Sequence, residues 1–382
     1  LMRLAFYAPL KPPDHPVPSG DRRMAQLLMA ALAARGHEVE LASRLRSRDG
    51  AGNPARQMRL AAVAGRLAQR LVRRMLARPP EARPRAWITY HLYYQAPDWL
   101  GPRVAGALAI PYVVVEASLA AKRAGGPWST GHAATAAALA RAAAVVSFHA
   151  RDEEALGEAV AQRARLHRLK PFLDAAPFAA AARTRDAHRQ ALAARHAIDA
   201  GAPWLLAVAM MRGGDKLDSY RLLARALARL EGRPWRLLVA GDGPARAEVE
   251  AAFAPLGARV AFLGAQAPEE LAALYAASDL FAWPAIREAW GMALLEAHAA
   301  ALPAVAGDSG GVGEILQHGR TGWLVPAGDE AAFAGAIAEA LDDPARLRAR
   351  GTAAWAKVAA EHDLAAAGLA LDRILAAARG AT

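Results

Sequence analysis

The residues best suited to chemistry are two glutamates eight positions apart, Glu288 and Glu296. A short apolar run ends at Pro284, Glu288 lies in the loop that follows, and a helix is predicted to begin near residues 289–291 and to contain Glu296. The unpaired N–H groups and the positive dipole end of a helix start suit a phosphate. A carboxylate ahead of that helix can reach the group attached to the phosphate, and one inside the helix can accept hydrogen bonds from sugar hydroxyls.

Two cations, Arg212 and Lys216, follow another apolar run and are predicted to lie in the loop at its carboxyl end. Two positive charges at this place can hold a diphosphate and neutralise it as it leaves. The alternative is a pair of solvated loop cations. A Gly-Gly pair at 310–311 is predicted to open a further helix, where the backbone can approach a ligand closely.

Short apolar runs alternate with helical patterns along the whole chain, which is typical of parallel sheets flanked by helices. In the first half the predicted strands are Leu4–Ala8, Val39–Ala42, Trp87–Tyr90, Tyr112–Glu116, Val145–Phe148 and Leu166–Leu169. In the second half they are Leu205–Ala209, Leu237–Ala240, Val260–Leu263, Leu280–Trp283 and Ala304–Ala306. Two such series predict an α/β protein with two facing, doubly wound, Rossmann-like domains. Because ligands of this fold class bind at the carboxyl ends of the strands, we expect the site in an interdomain cleft.

Prolines interrupt an extended stretch at Lys170–Phe178, where we place the domain boundary. The prediction is a first domain over residues 1–175 and a second domain over residues 176–355, opened by the helical pattern Thr184–His196. Residues 356–382 form a helical segment that could pack back on the first domain.

The chain carries a formal charge of +11 and contains no cysteine, which excludes disulfides and thiolate metal sites. No apolar stretch is long enough to span a bilayer, and the first strand begins too early to leave room for a signal peptide. These features predict a cytoplasmic protein. The charge favours anionic partners such as phosphates or lipid headgroups; nucleic acid is not expected, because no recognised nucleic-acid motif accompanies the charge.

Residues 279–329 resemble family 4 of the retaining glycosyltransferases, which have the GT-B fold. The resemblance rests on the Glu-x7-Glu signature formed by Glu288 and Glu296, on the GGVGEI turn and on the TGWLVPAGD strand. It implies that Glu288 contacts the donor sugar and positions its anomeric carbon, and that Glu296 binds the ribose hydroxyls. The donor diphosphate would lie at the helix start, formed by Ala289, Trp290, Gly291 and Met292.

The resemblance also implies that Arg212 and Lys216 contact the donor pyrophosphate, although Leu217 stands where the family usually has glycine. Gly264, in the FLGAQ turn, lies where the family's backbone contacts the nucleobase. Gly20 follows Ser19 where the family has a phosphate-facing Gly-Gly pair. A plain glycine at the entry of a helix capped by Asp21 is the alternative.

Four residues at strand ends of the first half could face an acceptor: His91, Glu116, Lys122 and Arg123. Many relatives have a histidine where this chain has Glu116, and His91 is the nearest substitute by strand position. Lys122 and Arg123 could bind an acidic acceptor or could be solvated loop charges.

The stretch from Arg44 to Arg85 contains twelve arginines against only Asp49 and Glu81. On a helical wheel one apolar stripe adjoins a basic face. The stripe is Leu60, Val63, Leu67 and Leu71, and the basic face is Arg59, Arg66, Arg70 and Arg73. Such a helix can lie on an anionic membrane surface, or it can pack on its domain with a charged outer face.

The predicted function is nucleotide-sugar-dependent transfer of a hexosyl group to an acceptor hydroxyl, with retention, in cell-envelope glycan or glycolipid synthesis. The predicted partners are a nucleotide sugar, a glycan or lipid-linked acceptor, and an anionic surface on the inner face of the membrane. No cofactor is required and no metal residues are assigned, since fixed cations and a helix dipole can replace a metal. The alternatives are a GT-B sugar-nucleotide epimerase and a non-catalytic sugar-nucleotide-binding protein.

Overall fold

The computed structural model describes residues 1–17, 19–148, 153, 156, 160 and 165–380 of the chain. The chain divides into two compact units. Unit 1 comprises Leu1–Lys170 and Leu364–Thr382, and unit 2 comprises Pro171–Asp363. Each unit contains a parallel sheet, with helices between successive strands wherever the structure describes the connection.

Unit 1 is built on a six-stranded sheet in the order β2-β1-β3-β4-β5-β6, in which all neighbours are parallel. The strands are β1 (Arg3–Tyr7), β2 (Glu38–Ser43), β3 (Ala86–Leu92), β4 (Tyr112–Ala117), β5 (Ala144–Ser147) and β6 (Leu166–Arg168). The helices are α1 (Gly20–Ala34), α2 (Pro54–Leu76), α3 (Gly101–Leu108), α4 (Ser129–Arg141) and, at the end of the chain, α14 (Leu364–Gly380). Helix α14 packs on α1, where Arg35 and Asp372 form an ion pair at 2.7 Å.

Unit 2 repeats this architecture with the strand order β12-β11-β10-β7-β8-β9. The strands are β7 (Trp204–Val208), β8 (Arg236–Ala240), β9 (Val260–Gly264), β10 (Leu280–Trp283), β11 (Ala304–Asp308) and β12 (Gly322–Pro326). The helices are α5 (Ala176–Ala182), α6 (Arg185–His196), α7 (Asp215–Ala228), α8 (Arg246–Phe253), α9 (Pro268–Ala277), α10 (Met292–Ala299), α11 (Val312–Ile315), α12 (Glu330–Asp342) and α13 (Pro344–Glu361). The two sheets confirm the predicted α/β fold with two Rossmann-like domains.

The central strands of unit 2 read as continuous apolar runs because helices cover both faces of the sheet. Leu205 and Leu206 of β7 and Leu237 and Leu238 of β8 are completely buried. These strands therefore show no alternation of buried and exposed residues. In the sequence they are recognised by the length of the apolar run and by the turn residues that flank it.

Three helix starts differ from the sequence prediction. Asp21 does not cap α1; the Ser19 hydroxyl accepts the first free N–H, and Asp21 lies in the first turn. Lys216 is not in a loop, because α7 begins at Asp215, directly after Gly214, whose φ is +74°. Helix α10 begins at Met292. In addition, α5 was not predicted; it forms from an alanine-rich run, which favours helix.

The buried face of α2 is also different from the predicted stripe. Leu71 is buried as expected, but Val63 is 41% exposed, and Ala64 and Ala68 face the core instead. Leu60 and Leu67 of the predicted stripe are partly buried against the core of unit 1, so the buried face is shifted by about one position from the prediction. The basic face remains in solvent: Arg59, Arg66, Arg70 and Arg73 are exposed. No helix within the described residues is long and apolar enough to cross a membrane.

Candidate functional site

The strand order of unit 2 reverses between β7 and β10, which are parallel neighbours. From β7 the chain proceeds outwards through β8 and β9, whereas β10 leads to β11 and β12 on the other side. The crevice outside the carboxyl ends of strands at such a reversal is the usual ligand site of open α/β sheets. Lys216, at the start of α7, follows β7, and Glu288 follows β10.

A cavity of about 530 Å³ lies at these strand ends. Its lining includes six residues predicted from the sequence: Lys216, Glu288, Ala289, Trp290, Gly291 and Met292. Asp242, Ala265 and Gln266, which follow β8 and β9, line it as well. Six of the residues predicted to contact the donor therefore lie together in one concave site.

Lys216 and Glu288 form an ion pair in this cavity, with side chains only 21% and 15% exposed. The same carboxylate oxygen, Oε2, also accepts a hydrogen bond from Trp283 Nε1 at 3.2 Å. The Lys216 Nζ atom lies 5.4 Å from the centre of the Trp283 ring. Trp283 was missed in the sequence, although an aromatic residue at the last position of a strand that leads into the site was a usable signal.

The loop that carries Glu288 has an unusual backbone. Ala285 and Arg287 have φ values of +55° and +47°, and each left-handed non-glycine residue costs roughly 1–2 kcal/mol. Helix α7 holds the loop in this shape: the Ser219 hydroxyl accepts from Ile286 N at 3.0 Å, and Asp215 Oδ1 accepts from Arg287 Nε at 2.6 Å. Strain of this kind persists where neighbouring structure fixes it, and it clusters at functional sites.

Gly310 is required by the same loop. A Cβ at this position would lie 2.0 Å from the carbonyl oxygen of Glu288, and its φ is +53°. The first glycine of the Gly-Gly pair thus lets the backbone before α11 pack directly on the loop before α10.

Three predicted donor residues of unit 2 lie outside the described lining of the cavity: Glu296, Arg212 and Gly264. Glu296 lies about one turn into α10 and accepts a hydrogen bond from Tyr275 OH at 2.9 Å. Burial and the Glu296 charge hold the pKa of Tyr275 well above its usual value, so the phenol stays a donor. Arg212 is exposed, and Gly264 is the last residue of β9, immediately before the cavity-lining Ala265.

Gly20 is the first residue of α1 in unit 1. A Cβ there would meet nothing within 4 Å, and its φ is not positive. The structure therefore gives no conformational reason for a glycine at this position.

The strand order of unit 1 reverses between β1 and β3, and His91 lies at that point. Its Nδ1 is 2.8 Å from Oδ1 of Asp21, in the first turn of α1. Burial lowers the pKa of His91, but the Asp21 hydrogen bond and the Glu116 charge outweigh it and raise the pKa overall. The His91 hydrogen bond lowers the pKa of Asp21. His91 and Glu116, on neighbouring strands, both have left-handed φ values, +61° and +59°.

Lys122 and Arg123 lie in a one-turn 3-10 helix, Ala121–Arg123. Lys122 is exposed. The Arg123 guanidinium lies 5.0 Å from the ring centre of Trp128 and 5.5 Å from that of Tyr94, so it packs on two aromatic rings.

Residues 202–343 match the model of the family described as glycosyl transferases group 1. D-inositol 3-phosphate glycosyltransferase from Rhodococcus erythropolis is 41% identical over 134 residues, which cover 33% of this chain and 30% of that protein. Alpha-D-kanosaminyltransferase from Streptomyces kanamyceticus is 31% identical over 243 residues, which cover 63% of this chain and 61% of that protein. The chain thus spans 30% of the length of the first relative and 61% of the length of the second.

Solved structures resemble the chain over nearly its whole length. A glycosyltransferase from Rickettsia africae has a TM-score of 0.76 at 14% identity, covering 99% of this chain and 98% of its own. Sucrose-phosphate synthase from Thermosynechococcus elongatus has a TM-score of 0.68 at 20% identity, with all of both chains covered. An Anabaena protein solved in complex with UDP-glucose has a TM-score of 0.66 at 17% identity, covering 98% of this chain and 100% of its own. At these identities the likeness concerns the fold. Residues 202–343 thus match the group 1 glycosyltransferases, the family that residues 279–329 resemble, and the chain as a whole has the GT-B fold of its structural neighbours.

Proposed function

We propose that this chain transfers a hexosyl group from a nucleoside-diphosphate sugar to an acceptor hydroxyl, with retention of configuration, in the synthesis of a cell-envelope glycan or glycolipid. The observation that carries the proposal is the pairing of Lys216 and Glu288 in one cavity at the strand-order reversal of unit 2, beside the start of α10. A cation, a carboxylate and a free helix start are the groups that a sugar diphosphate needs.

In the proposed reaction the bond between the anomeric carbon and the diphosphate breaks, and a bond to the acceptor oxygen forms on the same face of the sugar. The acceptor proton leaves with the diphosphate or passes to water. Lys216 and the N–H groups at the start of α10 stabilise the charge that develops on the diphosphate. Arg212, whose side chain is exposed in the β7–α7 loop, adds a second positive charge. Glu288 accepts hydrogen bonds from the donor sugar.

The nucleoside occupies the β8 and β9 side of the cavity in this proposal. Ala265 and Gln266 would lie against the base, and Glu296 would bind the ribose hydroxyls. The UDP-glucose complex of the Anabaena neighbour is consistent with a donor of this class. The proposed reaction uses no metal, because fixed cations and the helix dipole supply the positive charge.

Kinetics of Arg212→Ala and Lys216→Ala test the leaving-group role. Losing one charge-stabilising donor costs about 2.7–4 kcal/mol in the transition state, so kcat should fall by roughly 10²–10³. A rise in KM with kcat unchanged would show that the two cations only bind the ground state.

A thermal-shift panel of UDP-, GDP-, ADP- and TDP-sugars identifies the donor, since a ligand at a hundred times its Kd adds about 2.7 kcal/mol to the free energy of unfolding. The absence of any stabilising nucleotide sugar would refute the donor class.

We also propose that α2 brings the enzyme to an anionic membrane, where a lipid-linked acceptor is available. Arg66, Arg70 and Arg73 are exposed beside exposed apolar Val63. Arg73 and Arg103 flank a cavity of about 660 Å³ between α2 and α3. Each arginine near an anionic surface contributes about 1 kcal/mol, and salt weakens the attraction.

Vesicle co-sedimentation tests the membrane proposal. Binding should be strong to phosphatidylglycerol-containing vesicles at low salt, weak to neutral vesicles, and reduced by changing Arg66, Arg70 and Arg73 together to glutamine. A matched control removes the same charge from unit 2, at the exposed residues Arg221, Arg346 and Arg348. Equal binding to neutral and anionic vesicles, or to neither, would exclude this role.

A further inference from the structure

The two charged groups that a sugar diphosphate needs form an ion pair with each other. Lys216 donates to Oε2 of Glu288, and the two side chains are partly exposed, at 21% and 15%. A diphosphate that enters the cavity must therefore take Lys216 away from Glu288. The carboxylate would then lose its strongest partner at the moment when its position matters for the sugar.

Trp283 gives Glu288 a second partner that does not depend on Lys216. Its indole N–H donates to Oε2 of Glu288 at 3.2 Å. The ring itself is 4% exposed and packs edge-to-face on Tyr220, with ring centres 4.9 Å apart and planes at 79°. Tyr220 is in turn fixed by a 2.8 Å hydrogen bond from its hydroxyl to the carbonyl oxygen of Ala209. The indole is thus a rigid donor built into the end of β10.

We propose that Trp283 is a positioning residue, which holds Glu288 in place for the donor sugar after the diphosphate has taken Lys216 from it. The proposal rests on the proposed function of this cavity. With Lys216 turned to the diphosphate, Glu288 keeps the hydrogen bond from the indole, and among the described residues no other side chain competes with sugar hydroxyls for its lone pairs. The face of the same indole lies 5.4 Å from Nζ, so the ammonium stays near an electron-rich surface.

This exchange of partners has two separable consequences. Glu288→Gln removes the competitor for Lys216, so a nucleoside diphosphate should bind more tightly. Trp283→Phe keeps the ring packed on Tyr220 and removes only the N–H, so the nucleoside diphosphate should bind unchanged while turnover of the intact donor falls.

Trp235 offers a matched control in the same unit. Its indole is buried, and its N–H donates to the carbonyl oxygen of Leu230 at 3.0 Å. Trp235→Phe therefore also removes one buried indole hydrogen bond, and it should leave nucleotide binding and turnover at wild-type values.

Calorimetry with UDP, GDP, ADP and TDP, followed by kinetics with the matching nucleotide sugar, tests the proposal. We expect about threefold to fivefold tighter binding to Glu288→Gln, in line with an ion pair that is partly exposed. For Trp283→Phe we expect unchanged diphosphate affinity, little change in KM and roughly tenfold lower kcat, as for a lost hydrogen bond to a charged group.

Unchanged or weaker binding to Glu288→Gln would overturn the exchange of partners. Wild-type kcat in Trp283→Phe, or diphosphate binding weakened as much as turnover, would overturn the positioning role. In both cases wild-type binding and turnover would still support the proposed function. If none of the four nucleotides binds the wild-type protein, the proposed function itself fails.

Discussion

Acidification should destabilise unit 2 through one buried imidazole, His298 of α10. This side chain is completely buried. Burial, and then the positive charges of His362 and Lys357, lower the pKa of His298 from 6.5 to about 3. The neutral ring can be accommodated in the core, but the imidazolium cannot.

The sign and size of the effect follow from proton linkage. Below pH 6.5 the unfolded chain binds a proton at His298, whereas the folded chain does not until about pH 3. The contribution of His298 to the free energy of unfolding is therefore fully present above the unfolded pKa and is lost as the pH falls towards 3. At pH 5 the pH is about 1.5 units below the pKa of the ring in the unfolded chain. At roughly 1.36 kcal/mol per unit, the free energy of unfolding at pH 5 is lower by about 2 kcal/mol than at pH 7.

Urea unfolding of the wild type and of His298→Gln at pH 7 and pH 5 measures this contribution. The variant is less stable at both values because it changes a buried side chain, but its loss between pH 7 and pH 5 should be about 2 kcal/mol smaller than that of the wild type. His318→Gln, which removes an exposed histidine of the same unit, is the control. An identical pH 7 to pH 5 loss in the wild type and His298→Gln would refute the reasoning.

Three further outcomes are expected. Glu296→Ala should weaken nucleotide binding while the fold remains intact; unchanged affinity in calorimetry would remove Glu296 from the ribose site. Gly310→Ala should destabilise the protein by more than 1 kcal/mol in urea unfolding, through its positive φ and its contact with the loop before α10, whereas Gly20→Ala, in open space, should not. Asp21→Asn should lower the pKa of His91 in an NMR titration, since the carboxylate stabilises the imidazolium; an unchanged midpoint would exclude this pairing.

Local patterns in the sequence were sufficient for the strands, because runs of buried apolar residues and their flanking turns are properties of neighbouring residues. Glu288 and Lys216 could be placed after strand ends for the same reason. Their direct pairing could not be predicted, because it depends on β10 lying beside β7, and the order of strands in a sheet is decided by tertiary packing.

Partners far apart in sequence show the same limit. Asp21 and His91 are 70 positions apart and meet only because β1 and β3 are neighbours. The position of Trp283 at the end of a strand could be read from the sequence, but its hydrogen bond to Glu288 depends on the fold of the loop after β10.

The sequence by itself determined the two α/β domains, the family that residues 279–329 resemble and the residues that follow the strand ends. It could do so because periodicity, turns and ordered motifs depend only on residues that are neighbours in the chain. Only the tertiary structure decided which face of α2 is buried, which charges meet in the cavity and which indole holds Glu288. Those features depend on how elements distant in sequence pack, and small residues such as Ala64 and Ala68 affect that packing without an apolar signal strong enough to predict it.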